Sequence, residues 1–228
     1  MLPELFLARM QRLLGTEYEA FLAAYDRPRN VGLRLNPLKT DMPPALAQFG
    51  LTPVPWAENG FYYDAQSRPG LSPYHDAGLY YLQEASAMSA VALLDPQPGE
   101  TVCDLCAAPG GKSFAAAMCM QDQGEIHACD LHAHKKALIE AGAARLGLQS
   151  ITAQVLDGKK PRKGWEERFD AVLADVPCSG LGVIRKKPEI RFKDPAALSQ
   201  LPAIQRAILE GLAPCVRPGG VLVYSTCT

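Results

Sequence analysis

From Gly78 to its last residues the chain alternates two kinds of pattern. Short, nearly continuous apolar runs stand at Thr101–Leu105, Glu125–Cys129, Ile151–Leu156, Phe169–Asp175 and Gly220–Thr226, with the lengths of buried strands. Longer stretches with helical spacing lie among them: Gly78–Leu94, one starting near Lys112, Ala133–Leu146, and a long one around Pro195–Cys215. This alternation predicts an α/β fold, a parallel sheet with helices on both faces. Ligands of such sheets sit beyond the carboxyl ends of the strands. Cys106, Asp130, Asp157, Asp175, Cys178 and Cys227 all fall there.

The first 75 residues read differently. Residues 3–24 predict two helical pieces, with Leu5, Phe6, Met10, Leu13 and Leu14 on one apolar stripe and Gly15 as the break. Thr16 and Glu19 have the spacing of a capping box for the second piece. Val31, Leu33 and Leu35 alternate with small or polar residues, which predicts a half-buried strand, and a short helix follows near Pro44–Phe49. Thr52–Tyr74 is broken by prolines and glycines and reads as irregular. A boundary near Asp64–His75 divides the chain into an N-terminal part, 1–75, and an α/β part, 76–228.

Composition adds mostly exclusions. The 228 residues are 48% hydrophobic and 21% charged, ordinary for a globular protein. There is neither an apolar run of 18 residues nor a signal-peptide pattern at Met1-Leu2-Pro3-Glu4, and the expected location is the cytoplasm, away from membranes. Seven cysteines, an odd number, suit a reducing compartment. A net charge of −1 leaves any nucleic-acid site to local basic patches.

Candidate chemistry begins at Cys106-Ala107-Ala108-Pro109-Gly110-Gly111-Lys112. The form is strand, glycine turn, helix start, with Gly110 and Gly111 where backbone must approach a ligand. Asp130, 20 residues past Gly110 at the end of the next strand, is placed to accept from a ribose diol. Asp157, at the end of the third strand, is placed for an adenine amino group. Neither G-x-G-x-x-G nor the phosphate-loop pattern is present, and acidic residues with a glycine turn suit S-adenosylmethionine, which carries no phosphate. A merely structural turn is the plain alternative. A lysine at a helix N-terminus, Lys112, is locally unfavourable, which favours a ligand-facing role over an exposed one.

Asp175-Val176-Pro177-Cys178-Ser179-Gly180 and Ser225-Thr226-Cys227 each place a cysteine just past an apolar run. Two strand-end thiols beside a methyl-donor site fit covalent activation of a pyrimidine: thiolate addition at C6 makes C5 nucleophilic. Asp175 then serves ring N3, protonated or sharing a proton. Spacing alone leaves open which of Cys178 and Cys227 is the nucleophile. Cys103, Cys119, Cys129 and Cys215 read as small buried hydrophobes. Cys103-x-x-Cys106 has metal-ligand spacing, but without a second pair no metal site is expected. Arg185, Lys186, Lys187 and Arg191 form a basic cluster that can contact RNA, or simply a solvated face; Lys159, Lys160, Arg162 and Lys163 form a weaker one.

These segments resemble the RNA cytosine-C5 methyltransferases of the Sun/Fmu type, especially the bacterial 16S ribosomal RNA enzymes. Asp104–Lys112 looks like the family's cofactor motif, and the two cysteine segments like its two cysteine motifs. Gly32-Leu33-Arg34-Leu35-Asn36-Pro37-Leu38-Lys39 and Tyr81-Leu82-Gln83-Glu84-Ala85-Ser86 extend the similarity through the N-terminal part. The resemblance implies a Rossmann-like S-adenosylmethionine-dependent methyltransferase sheet with a small α+β, RNA-recognition-like module, acting on ribosomal RNA to form 5-methylcytosine. It implies Cys227 as nucleophile and Cys178 as the aid to proton removal and product release. It also implies that the backbone of Cys106–Lys112, with Asp130, Asp157 and Asp175, binds the cofactor. The family continues past the residue matching Cys227 into further strands, so the chain reads as truncated there. The alternative expectation is therefore a catalytically impaired RNA-binding scaffold.

Overall fold

The computed structural model describes residues 2–41, 44–160 and 162–227. It divides into two compact units: Met1–Arg29 with Cys178–Leu201 and Cys227–Thr228, and Asn30–Pro177 with Pro202–Thr226.

The first unit opens with α1 (Glu4–Leu14) and α2 (Tyr18–Ala24), separated by a 3-10 turn, Gly15–Glu17, at which Gly15 takes φ 52°. No capping box forms: Thr16 lies inside the 3-10 turn, and Glu17, at the N-cap of α2, makes no side-chain cap bond. Of the expected apolar stripe, Phe6 is buried while Leu5 and Leu13 are exposed. Phe6 and Tyr25 instead pack on Phe21, at ring-centroid distances of 6.0 and 5.2 Å. The Arg185 guanidinium lies over the Tyr25 ring and donates to the carbonyls of Ala24 and Arg27, satisfying acceptors left open where α2 ends.

The second unit holds both sheets. The smaller is antiparallel, in the order β2-β3-β1-β4: β1 (Gly32–Leu35), β2 (Thr52–Pro53), β3 (Gly60–Tyr62) and β4 (Tyr80–Leu82). β1 is buried on both faces, not half-buried as its alternation predicts. Two strands lie where the sequence reads as irregular, and β4 lies inside the stretch expected to be helical. Two- and three-residue strands are too short to show a period. The stretch Pro44–Phe49 is a 3-10 helix, and Ser72 Oγ caps the short α3 (Pro73–Asp76) by accepting from Tyr74 N. Asn36, fully buried, donates through Nδ2 to Gly78 O at 3.1 Å and Leu146 O at 2.8 Å.

After α4 (Ala85–Leu94) the chain builds the parallel sheet: β5 (Thr101–Leu105), α5 (Gly111–Cys119), β6 (Glu125–Asp130), α6 (Ala133–Leu146), β7 (Ile151–Val155) and β8 (Phe169–Asp175). The expected long helix is broken into α7 (Pro195–Leu198), α8 (Leu201–Leu212) and a 3-10 turn, Ala213–Cys215, each carrying a proline in its first turn. The last strand, β9 (Val216–Ser225), starts four residues earlier than predicted. Strand order is β7-β6-β5-β8-β9, all pairs parallel, so the order reverses between β5 and β8. Val102, Ile126, Ala128, Ala171 and Leu173 face a core filled by α4, α5 and α6. Cys103, Leu105, Cys129, Val172 and Ala174 face the other, filled by Ile208 and Leu212 of α8 and by Trp165. This is the Rossmann-like sheet, covered on both faces. Cys103, Cys129 and Cys215 are buried as expected; Cys119, at the end of α5, is exposed.

Candidate active site

The crevice of such a sheet opens where strand order reverses, here between the ends of β5 and β8. β5 delivers Cys106 in the left-handed region, φ 65°, an uncommon conformation for a residue with a side chain. Ala107 N donates to Cys129 O at 2.9 Å, Gly110 N to Ala107 O at 2.7 Å, and Gly110, at φ 108°, is the N-cap of α5. A Cβ on Gly110 would lie 2.3 Å from the Phe114 ring, and one on Gly111 2.9 Å from Tyr81 Cε1. The backbone of Gly110 therefore requires glycine, whereas a side chain at Gly111 would have to push the Tyr81 ring aside. Gln83 Nε2 donates to Gly111 O at 3.2 Å while its Oε1 accepts from Arg34 Nε at 3.2 Å, so β1 braces the loop.

Three carboxylates act on this loop. Burial pushes the Cys106 thiol up to about 12, and Asp130, Asp104 and Asp175 add to the shift. Asp130 is 4% exposed; its Oδ1 accepts from His132 N at 3.1 Å and lies 3.4 Å from Lys135 Nζ. Asp157 Oδ1 accepts from Lys159 N at 3.1 Å. Asp175, at the end of β8, has both oxygens engaged: Oδ2 by Lys112 Nζ at 2.6 Å and Oδ1 by Ser225 Oγ at 2.7 Å. Sequence reasoning brought Lys112 and Asp175 to one edge; the bond between them and the part of Ser225 it missed. Ser225 stood inside the second cysteine segment, which was the available signal.

It also missed Asp104. This carboxyl is 1% exposed, accepts from Ser113 Oγ through Oδ2 at 2.5 Å, and has no partner for Oδ1 among the described residues. Burial raises its pKa from 3.8 to about 7, against the opposing pull of Ser113 and Lys112.

Within the other unit Cys178 Sγ and Cys227 Sγ are 3.1 Å apart, and neither is in a disulfide. Cys178 is half-buried and Cys227 exposed. Gly182 N donates to Cys227 O at 2.9 Å. Of the basic cluster, Lys186 and Lys187 are exposed, whereas Arg185 is engaged by the carbonyls after α2 and Arg191 Nε donates to Pro188 O at 2.9 Å. Among the described residues no group of three or more His, Cys, Asp or Glu side chains could hold a metal ion, and no helix is long and apolar enough to cross a membrane.

Over residues 91–228 the chain matches the family described as 16S rRNA methyltransferase RsmB/F, and over residues 2–85 the N-terminal domain of 16S rRNA methyltransferase RsmF. Ribosomal RNA small subunit methyltransferase F of Escherichia coli is 37% identical over 240 residues, which cover 99% of this chain and 50% of that protein. The chain thus spans about half the length of the curated relatives it matches. Among solved structures, PH0851 superposes with a TM-score of 0.91 at 30% identity, covering 100% of this chain and 53% of that one. A methyltransferase homolog protein from Pyrococcus horikoshii superposes with a TM-score of 0.80 at 29% identity, covering 98% and 72%.

Proposed function

The chain belongs to the 16S rRNA methyltransferase RsmB/F family, and from that premise we propose that it methylates C5 of a cytosine in 16S ribosomal RNA through a covalent cysteine–C6 adduct. The observation that carries this reading is the 3.1 Å between the thiols of Cys178 and Cys227. Two thiols that close can reach adjacent atoms of one flat ring from the same side.

The strand-end residues fit S-adenosylmethionine. The carboxylates around Cys106 suit a ligand that is cationic and free of phosphate, and Lys112, the cation a phosphate would need, is held by Asp175. Asp130 would hold the ribose diol, Asp157 the adenine amino group, and the backbone of Cys106, Ala107, Ala108, Pro109, Gly110, Gly111 and Lys112 would line the rest of the cofactor's site. When bound, the cofactor supplies an electrophilic methyl group on a sulfonium.

The protein's own side chains do the rest. Cys227 adds as thiolate to C6 of the cytosine, forming the S–C6 bond and moving electron density to C5. Asp175, oriented by Lys112 and Ser225, holds the proton at N3 that this density requires. Once C5 carries the methyl group, Cys178 takes the C5 proton, N3 gives its proton back to Asp175, the C5–C6 double bond re-forms and Cys227 leaves as thiolate.

The test uses 16S ribosomal RNA, S-adenosylmethionine and Cys178→Ala on a denaturing gel. Without the group that permits elimination, a protein–RNA adduct should accumulate, and it should vanish in Cys178→Ala/Cys227→Ala. Methyl transfer that survives in the double variant sinks the covalent assignment. RNA binding with neither adduct nor transfer supports the scaffold reading.

A further inference from the structure

Phe192 is 83% exposed, more than any other large hydrophobic residue among those described. A single exposed apolar side chain usually needs no explanation. This one differs in its support and its neighbours. It ends the 3-10 turn Pro188–Phe192, whose Ile190 is buried. A Cβ on Gly180 would stand 3.1 Å from Ile190 Cδ1, so the turn packs directly on the Cys178–Gly180 segment. Lys193 Nζ donates to Ser179 O at 2.8 Å, Lys193 N to Ile190 O at 3.1 Å, and Arg191 Nε to Pro188 O at 2.9 Å. The ring is therefore presented to solvent from a pinned turn, tied to the segment that carries a strand-end cysteine.

Its neighbours along the chain are mostly cationic. Arg185, Lys186, Lys187, Arg191 and Lys193 lie within eight positions of it, against Glu189 and Asp194, and Asp194 is occupied in capping α7 through Ala196 N. Lys186 and Lys187 are exposed. An exposed ring on a segment rich in exposed cations is the combination that holds single-stranded nucleic acid, by stacking on bases and pairing with phosphates.

We propose that Phe192 is a stacking platform for an unpaired RNA base next to the target nucleotide, with Lys186 and Lys187 on the adjoining phosphates. This rests on the RNA reading above and adds which surface engages the strand. Stacking by an exposed ring is tolerant of base identity, so the platform positions the strand and leaves selection of the target to other contacts.

The experiment measures binding of the full chain to a short single-stranded oligoribonucleotide carrying 2-aminopurine beside a cytosine. Phe192→Leu should weaken binding roughly 5- to 150-fold, the equivalent of one lost stacked base, and abolish the quenching of 2-aminopurine. Phe192→Trp should retain both. Lys187→Ala should lower the salt slope by about one, and Phe192→Leu should leave that slope unchanged. Thermal midpoints of the RNA-free variants control for folding. Unchanged affinity and quenching in Phe192→Leu overturn the platform while the RNA reading stands. No binding by the parent chain overturns both. A change in self-association of Phe192→Leu at constant RNA affinity also overturns it, assigning the ring to a protein contact.

Discussion

Lys112 Nζ lies 2.6 Å from Asp175 Oδ2, joining the first turn of α5 to the end of β8 across the point where strand order reverses. Ser225 Oγ holds the other carboxylate oxygen, so three segments far apart in the chain fix one acidic group. Half-buried charge pairs of this kind are coupled, and their removals do not add. Lys112→Met, Asp175→Asn and the double variant should show an interaction free energy of about 1–2 kcal/mol in urea unfolding. Strict additivity would mean that solvent screens the pair.

Asp104 should make stability depend on pH. Its pKa is 3.8 in the unfolded reference and about 7 in the fold, raised by burial. The folded state then binds the extra proton between those values. The stability it contributes is fully present below about pH 4 and lost as pH rises to about 7. Asp104→Asn should flatten that decline and raise stability at pH 8, by at most about 4 kcal/mol. Urea unfolding at pH 5 and pH 8 reads it, and an unchanged pH dependence in the variant contradicts the assignment.

Gly110 offers a backbone test of the loop. Alanine there meets φ 108° and the Phe114 ring at 2.3 Å. Gly110→Ala should cost about 1–3 kcal/mol of stability and weaken S-adenosylhomocysteine binding measured by calorimetry. Gly99, also at positive φ but with nothing within 4 Å of an added Cβ, is the control: its alanine variant should leave binding unchanged.

Asn36 ties β1 to two main-chain carbonyls, Gly78 O and Leu146 O. Asn36→Leu removes both donors and leaves buried acceptors unmatched, a loss of about 1–3 kcal/mol. A thermal scan should show a lowered midpoint. Parity with the parent would show that other donors reach those carbonyls.

The longer buried elements were legible in the sequence. Thr101–Leu105, Ala133–Leu146 and Phe169–Asp175 have the predicted bounds, because a strand buried on both faces writes itself as a continuous apolar run and an intervening helix as a 3.6-residue period. From the predicted strands Asp130, Asp157, Asp175, Cys178 and Cys227 could be placed at strand ends. The short elements could not be read. β2, β3 and β4 are held by partners tens of residues away, such as Leu33 against both Phe61 and Leu82, and two or three residues carry no period. Nor could local pattern show that Cys178 meets Cys227, that Ser225 and Lys112 share Asp175, or that Gln83 braces Gly111. Which residues stand at the strand ends was set by hydrophobic burial, a local and repetitive signal. Which of them touch was decided by strand order and by buried hydrogen bonds, whose donors and acceptors find each other only once the sheet has formed.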